Sequence, residues 1–450
     1  MLKRIMYRKK KSFSCCTLMA IVLIFTINGY SQTNSPDSIL QQATLQNIIQ
    51  YALKRQPLVQ QALIDEKNTD LLIKSKLADW YPQVNFNYFL QHTFDVQTTV
   101  FDGTPRQIGV TNNSAFQFSA TQNIFNRDVL LAGRTKGDVK QQARQQTENT
   151  KINLVVNVSK AFYDVLATEQ QIKVTDENIV RIERSLKDAT AQYEAGVVDK
   201  TDYKRATIAL NNAIASKKAN EEALKAKTEY LKALLNYPIG QSLTIVYDSA
   251  QLENEIGLDT LQLIDINKRI EYRLLKTQYK LQEANVKYNK WSFIPSVSAN
   301  GAYNYNYLNN QFSKLYSQSF PNSYAGVTLS FPIFQGGKRK FDIQQAEGQL
   351  KRTELDVVSL ENSVNSEYAA ALASYKASLS NYRAVKENVL LAKEVYDVIT
   401  LQYRSGIKTY IEVVNAETDL RTSQINYFNA LYQVLSSKID VQRSLGDLRF

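Results

Sequence analysis

The chain has 450 residues and 44% hydrophobic content, which suits two or three domains or one elongated architecture built from repeats. One His and two Cys leave almost nothing for His or Cys metal sites or for His-dependent catalysis, so neither an enzyme nor a cofactor nor a metal is expected. With 15 Gly and 8 Pro, punctuation is sparse and the elements should be long.

In chain order, six Lys or Arg precede an apolar run from about Cys15 to Ile27, followed by small and polar residues. Residues 1–31 therefore read as a cleavable signal peptide with its cut near Ser31. Both Cys lie before or inside the apolar run, so no lipid anchor is expected. Cleavage leaves 48 basic against 43 acidic residues, so the formal charge of +11 falls to +5 and a nucleic-acid partner loses its support. No later segment offers 18 consecutive apolar residues, so an exported chain of this kind enters a membrane only with strands.

Two halves follow, 32–258 and 259–450, with corresponding features about 210 residues apart. Each opens with a helical stretch, Thr44 to Asp79 and Asp259 to Ser292, ending near a Trp and a Pro: Trp80 with Pro82, Trp291 with Pro295. Each then alternates. Val84, Phe86, Tyr88 and Leu90 share one face of a first strand, and Phe116, Phe118 and Ala120 one face of a second that ends at Ile124–Phe125. In the second half, Val297, Ala299, Gly301, Tyr303, Tyr305 and Tyr307 alternate with Ser298, Asn300, Asn304 and Asn306. Val327, Leu329, Phe331 and Ile333 form the fourth face, which ends at Ile333–Phe334. The strand pairs occupy about 82–125 and 295–334. Strands near ten residues with one apolar or aromatic face suit a transmembrane β-barrel, although a soluble sheet with one wet face shows the same alternation. Four strands cannot close a barrel, and an open edge in lipid costs several kcal/mol per unpaired group, so oligomerisation is expected.

From Arg127 to Ala195 and from Gly337 to Ser405 there is no Pro, which allows rods of roughly 100 Å at about 1.5 Å per residue. Further helices span 199–236 and 409–445, and short helices stacked in tandem are expected beside each rod. In the second rod Val364, Tyr368, Ala371, Tyr375, Leu379, Tyr382, Val385, Val389, Ala392, Tyr396, Ile399 and Tyr403 step by three or four, the coiled-coil period. The rest of that rod is mostly Ser, Asn, Lys, Glu and Ala and suits a wet wall. Residues 237–258 read as a linker with a short strand near Leu243 to Tyr247. The lone His92 reads as a strand-end or loop residue.

Each rod ends on one motif, QYEAG at 192–196 and QYRSG at 402–406. Gly196 and Gly406 fit the left-handed residue that closes a helix, with apolar Val197 and Ile407 next. Asp199 and Thr409 can cap the following helices, and Asp202 and Glu412 stand at the capping-box position. The motif is thus a tight turn between antiparallel helices. The stretch GGKRK at 336–340 lacks P-loop spacing, because Pro332 stands where a glycine is needed, and reads as a basic strand-to-helix turn.

The two halves, the Trp-to-Pro entrances, PIFQGGKRK at 332–340 and the twin Tyr-x-x-Gly turns closely resemble the TolC-like outer-membrane efflux channels, over essentially the whole mature chain. The resemblance implies an α+β, internally duplicated membrane protein. Four transmembrane strands from each chain of a homotrimer would make a twelve-stranded barrel in outer-membrane lipid, continued by a periplasmic α-helical coiled-coil barrel. It also implies a passive exit duct for an efflux pump or a type I secretion system, with a periplasmic adaptor and an inner-membrane RND or ABC transporter as partners. Gly196, Val197, Gly406 and Ile407 become adaptor contacts, and Tyr403, Lys408, Glu412 and Asp202 gate or selectivity residues. Asn415 departs from members that carry a second acid there. The competing expectation is a non-conducting coiled-coil scaffold or adhesin.

Overall fold

The computed structural model describes residues 40, 42–196 and 199–448, and the segment read as a signal peptide lies outside them. Within the unit that begins at Gln42, two very long helices dominate. Helix α1 (Leu45–Arg55) starts at Thr44, whose hydroxyl accepts from the Asn47 amide. Helix α2 (Pro57–Ala78) follows directly. The single helix expected from Thr44 to Asp79 is therefore broken at Gln56, which is extended at φ −62° and ψ 122° because the Pro57 ring excludes the helical conformation before it.

Strand β1 (Gln83–His92) leads to a small hairpin, β2 (Thr98–Phe101) and β3 (Thr104–Gln107), then to β4 (Asn112–Phe125). The hairpin turns at Asp102 and Gly103, both at positive φ, as a two-residue turn matched to strand twist requires. The 68-residue helix α3 (Arg127–Glu194) runs into α4 (Lys200–Leu235), and a short α5 (Ser249–Asn254) lies in the linker. Helix α6 (Ile270–Lys290) begins eleven residues later than expected. Residues 259–269 before it are irregular and hold a 3-10 turn capped by Asp265. Strands β5 (Ser296–Asn309) and β6 (Ser319–Ser330), helix α7 (Lys338–Arg404) and helix α8 (Tyr410–Leu445) complete the chain. Strand β6 stops short of Ile333–Phe334, since Pro332 has no amide to give to a ladder.

The main sheet is antiparallel in the order β1-β4-β5-β6. Its registers place Phe86, Phe118 and Tyr303 in one cross-strand row and Tyr88, Phe116 and Tyr305 in the next. That face is aromatic and exposed, with Val84 72% and Leu329 65% accessible.

The helices form layers. Helix α3 is the inner rod: α1, α2 and α4 lie against one side and α6 and α8 against another, while α7 packs on α6 and α8. The short helices stand in tandem as expected. Gln56 Nε2 donates to the Leu234 carbonyl at the end of α4, Asn236 Nδ2 to the Arg55 carbonyl, and Arg269 Nη1 to the Arg443 carbonyl at the end of α8. Every residue of the seam read along α7 is buried or half-buried. The wet-wall expectation for the remainder is incomplete, because Leu391, Val395, Val398 and Leu401 make a second, exposed apolar stripe. The linker clamps the rods: Tyr375 donates to the Ile256 carbonyl at 2.8 Å and Lys386 pairs with Glu253 at 2.6 Å. Its expected short strand is a single parallel bridge, Ile245 to Ala43.

Gly446 closes α8 at φ +73°, and an added Cβ would lie 2.8 Å from the Lys268 carbonyl. Gly446→Ala is expected to destabilise the α8/α6 junction by about 1–3 kcal/mol, read as a lowered thermal midpoint in detergent.

Candidate functional site: the paired hairpin tips

Both long helices close on a glycine with left-handed backbone. At the second, Gly406 sits at φ +74°, its amide donates to the Tyr403 carbonyl at 2.9 Å, and the Ile407 amide donates to the Gln402 carbonyl at 2.9 Å. This pair of bonds is the Schellman closure of α7. At the first, Gly196 at φ +70° donates to the Tyr193 carbonyl at 3.0 Å. Val197 lies outside the described residues.

The caps differ. Thr409 and Glu412 form a full capping box, in which Glu412 Oε2 accepts from the Thr409 amide at 3.0 Å. Glu412 Oε1 takes Lys408 Nζ at 2.6 Å. Lys408, then the Thr409 amide, hold the Glu412 carboxyl below its usual range. Asp199 caps α4 through the Thr201 amide at 3.3 Å. The Asp202 side chain makes no such bond, and partial burial raises its pKa.

Tyr403 is 6% exposed and packs with Ala206, Tyr410 and Val413, against Leu186, Tyr396 and Ile399. Its hydroxyl donates to Gln192 Oε1 at 3.0 Å. The repeated Gln-Tyr thus bridges the two hairpins of one chain: the Tyr of the second copy holds the Gln of the first. Burial raises the Tyr403 pKa, helped by Asp202 and Asp188. Of the residues singled out in the sequence, the structure brings Tyr403 to the contact between hairpins. Lys408 and Glu412 pair with each other on the second tip, and Ile407 projects 71% exposed.

Further couplings were not anticipated. Arg404 pairs with Asp188 at 3.5 Å on the surface. Glu417, 5% exposed on α8, accepts from Asn178 Nδ2 at 3.1 Å and lies 3.5 Å from Arg181 Nε, both on α3. Burial, opposed by Arg181, Arg421 and Asn178, raises its pKa to about 7. A signal was present in the sequence: Glu417 falls between Val413 and Leu420 at steps of four and three, so a carboxylate stands on an apolar seam. Among the described residues no group of three His, Cys, Asp or Glu could hold a metal ion, and no helix is long and apolar enough to cross a membrane.

Long antiparallel helical hairpins joined to a four-stranded antiparallel sheet with one aromatic face are the class of fold this chain presents. The family model described as "Outer membrane efflux protein" matches residues 48–237 and 275–447, and the chain belongs to that family. It is similar to outer membrane protein TolC of Vibrio cholerae, 23% identical over 351 residues that cover 77% of this chain and 79% of the relative. TolC of Escherichia coli is 20% identical over 446 residues, covering 96% and 86%. Among solved structures, the outer membrane protein VceC of Vibrio cholerae superposes with a TM-score of 0.72 at 14% identity, covering 89% of this chain and 96% of that one.

The sign of the Glu417 effect follows from its shift. A carboxyl raised from 4.5 to about 7 in the fold contributes stability that is present below pH 4.5 and lost as pH rises toward 7. Contact between α3 and α8 should therefore loosen from pH 5 to pH 8, seen as faster amide exchange around Asn178 and Glu417, and Glu417→Gln should flatten that dependence.

Proposed function

We propose that three copies of this chain form a passive exit duct in the outer membrane, twelve strands making the barrel and the helices a tunnel through the periplasm. The observation that carries this reading is the sheet. One face is exposed and aromatic, the opposite face is mostly polar with Phe89, Leu308, Phe320 and Tyr324 among its amides and hydroxyls, and among the described residues its two outer strands, β1 and β6, each pair on one side only. Lipid tolerates such a sheet only as part of a closed barrel. The exposed stripe Leu391, Val395, Val398 and Leu401 on α7 supplies apolar surface for a neighbouring copy along the tunnel. The near-equal lengths of α3 and α7, 68 and 67 residues, and of α4 and α8, both 36, support an origin by duplication of the halves 32–258 and 259–450.

Energy comes from partners, an inner-membrane RND or ABC transporter coupled through a periplasmic adaptor that meets the tips at Gly196, Val197, Gly406 and Ile407. The exposure of Ile407 supports that contact. Gating is assigned to the hairpins: Tyr403–Gln192 and Arg404–Asp188 hold the two coils of each chain together, and Lys408, Glu412 and Asp202 set the charge at the mouth.

Reconstitution into planar bilayers decides between the duct and a non-conducting scaffold: discrete pores are expected, and their absence would sink the proposal. Glu412→Gln leaves the Lys408 charge uncompensated at the second tip of each chain, so cation preference should fall with trimer stability little changed. Unchanged selectivity with a weakened α8 would reduce Glu412 to a helix cap.

A further inference from the structure

Strands β1, β4, β5 and β6 contain no Asp, Glu, Lys or Arg. Their polar face carries carboxamides in register. Asn87 stands opposite Gln117, Gln117 opposite Asn304, and Asn304 opposite Asn322, so one straight row crosses all four strands. Hydrogen bonds run along the row: Asn87 Nδ2 donates to Gln117 Oε1 at 3.3 Å, and Asn304 Nδ2 to Asn322 Oδ1 at 2.6 Å. Nearer the helices, Thr328 Oγ1 donates to Asn300 Oδ1 at 3.2 Å. Such cross-strand bonds hold the side chains at fixed positions on the face.

The chemistry of the row is specific. Each carboxamide offers two N–H donors and an acceptor oxygen without net charge. A ring of carboxylates or ammonium groups in a confined section would favour one sign of ion and exclude the other, and a ring of aliphatic side chains would expel water. Amides do neither, since they solvate cations through oxygen and anions through nitrogen.

We propose that Asn87, Gln117, Asn304 and Asn322 form a charge-neutral, hydrogen-bonding collar in the barrel lumen that passes cargo of either sign and neutral polar cargo alike. The inference rests on the duct reading: four amides in each chain become twelve in three copies. Sorting by charge is then left to the hairpin tips, and the barrel discriminates by hydrogen bonding and width.

The test is the reversal potential of single channels in planar bilayers under a potassium chloride gradient at about 0.1 M, where charge is screened over about 10 Å. Asn304→Asp should raise the cation-to-anion permeability ratio by about twofold and Asn304→Lys should lower it by a similar factor, as expected for fixed charge added to a neutral section. Gln117, on the inner strand β4 and away from the edges that meet neighbouring copies, repeats both substitutions should changes at Asn304 disturb assembly. Wild-type pores whose selectivity neither pair of variants moves would overturn the collar while leaving the duct intact. Absence of wild-type pores would overturn both.

Discussion

The constraint on which the rest of the structure depends is the unfinished hydrogen bonding of a four-stranded sheet. Among the described residues strand β1 pairs only with β4, and β6 only with β5, so each outer strand keeps an edge of backbone donors and acceptors without a partner there. In water such an edge is tolerated or shielded by charge. Here the strands carry no charged side chain, and one face is lined by Phe86, Tyr88, Phe118, Tyr303 and Tyr305. A sheet of that composition is stable in lipid only when edge meets edge. The proposed assembly of three copies answers this constraint of the sheet before any helix is considered.

The helices meet that demand with a second one. A coiled-coil seam buries only one stripe of each rod. Helix α3 escapes the limit by taking neighbours on several sides, and Leu154, Val155, Val158, Phe162, Val165 and Leu166 on it are buried. Helix α7 packs mainly on α6 and α8 and is left with Leu391, Val395 and Val398 in the open. Sheet edge and helix stripe are unsatisfied on the same scale, one by missing hydrogen bonds and the other by missing apolar contact. Both are met if each chain has a neighbour on either side. The tandem joints at Gln56 and Arg269 then let two short helices follow the course of one long one, and each joint is tied by a side chain to a helix-end carbonyl.

Much of this was legible because it follows from local rules. The absence of Pro predicts the two rods, glycine after Tyr-x-x predicts the turns, and alternation predicts β1, β4 and β5 to within a few residues, whereas β6 begins at Ser319, eight residues before the face read from Val327. What escaped was of two kinds. Some punctuation was present but outweighed by periodicity: Pro57 breaks an amphipathic run, Pro332 stops β6, and Asp102–Gly103 turns a small hairpin between the two strands of the first pair. The rest is tertiary. Nothing local tells Tyr403 that its hydroxyl partner is Gln192 on the other hairpin, or Glu417 that Asn178 and Arg181 face it across α3, because those pairs exist only once the two hairpins lie side by side. The repeated Gln and Tyr were visible; their meeting across copies was not.

That meeting changes how the second tip is to be understood. Glu412 spends one carboxylate oxygen on Lys408 and the other on the Thr409 amide and hydroxyl, so the fold uses it fully as a helix cap. Capping is nevertheless compatible with the proposed role in selectivity, since a cap needs one oxygen and an ion passing the tip of the proposed duct would sense the whole charge. What Lys408 decides is how much of that charge is seen: while it pairs within the tip, the Lys408–Glu412 couple is neutral, and a contact that draws Lys408 away leaves the carboxylate in place, still held by the Thr409 amide. The first tip has no such pair, for its Asp202 is partly desolvated and raised in pKa. The two copies of one turn thus differ in charge behaviour although each closes its helix on a left-handed glycine, and in sequence the difference lies two and three residues after that glycine, where Lys408 and Thr409 stand against Val198 and Asp199.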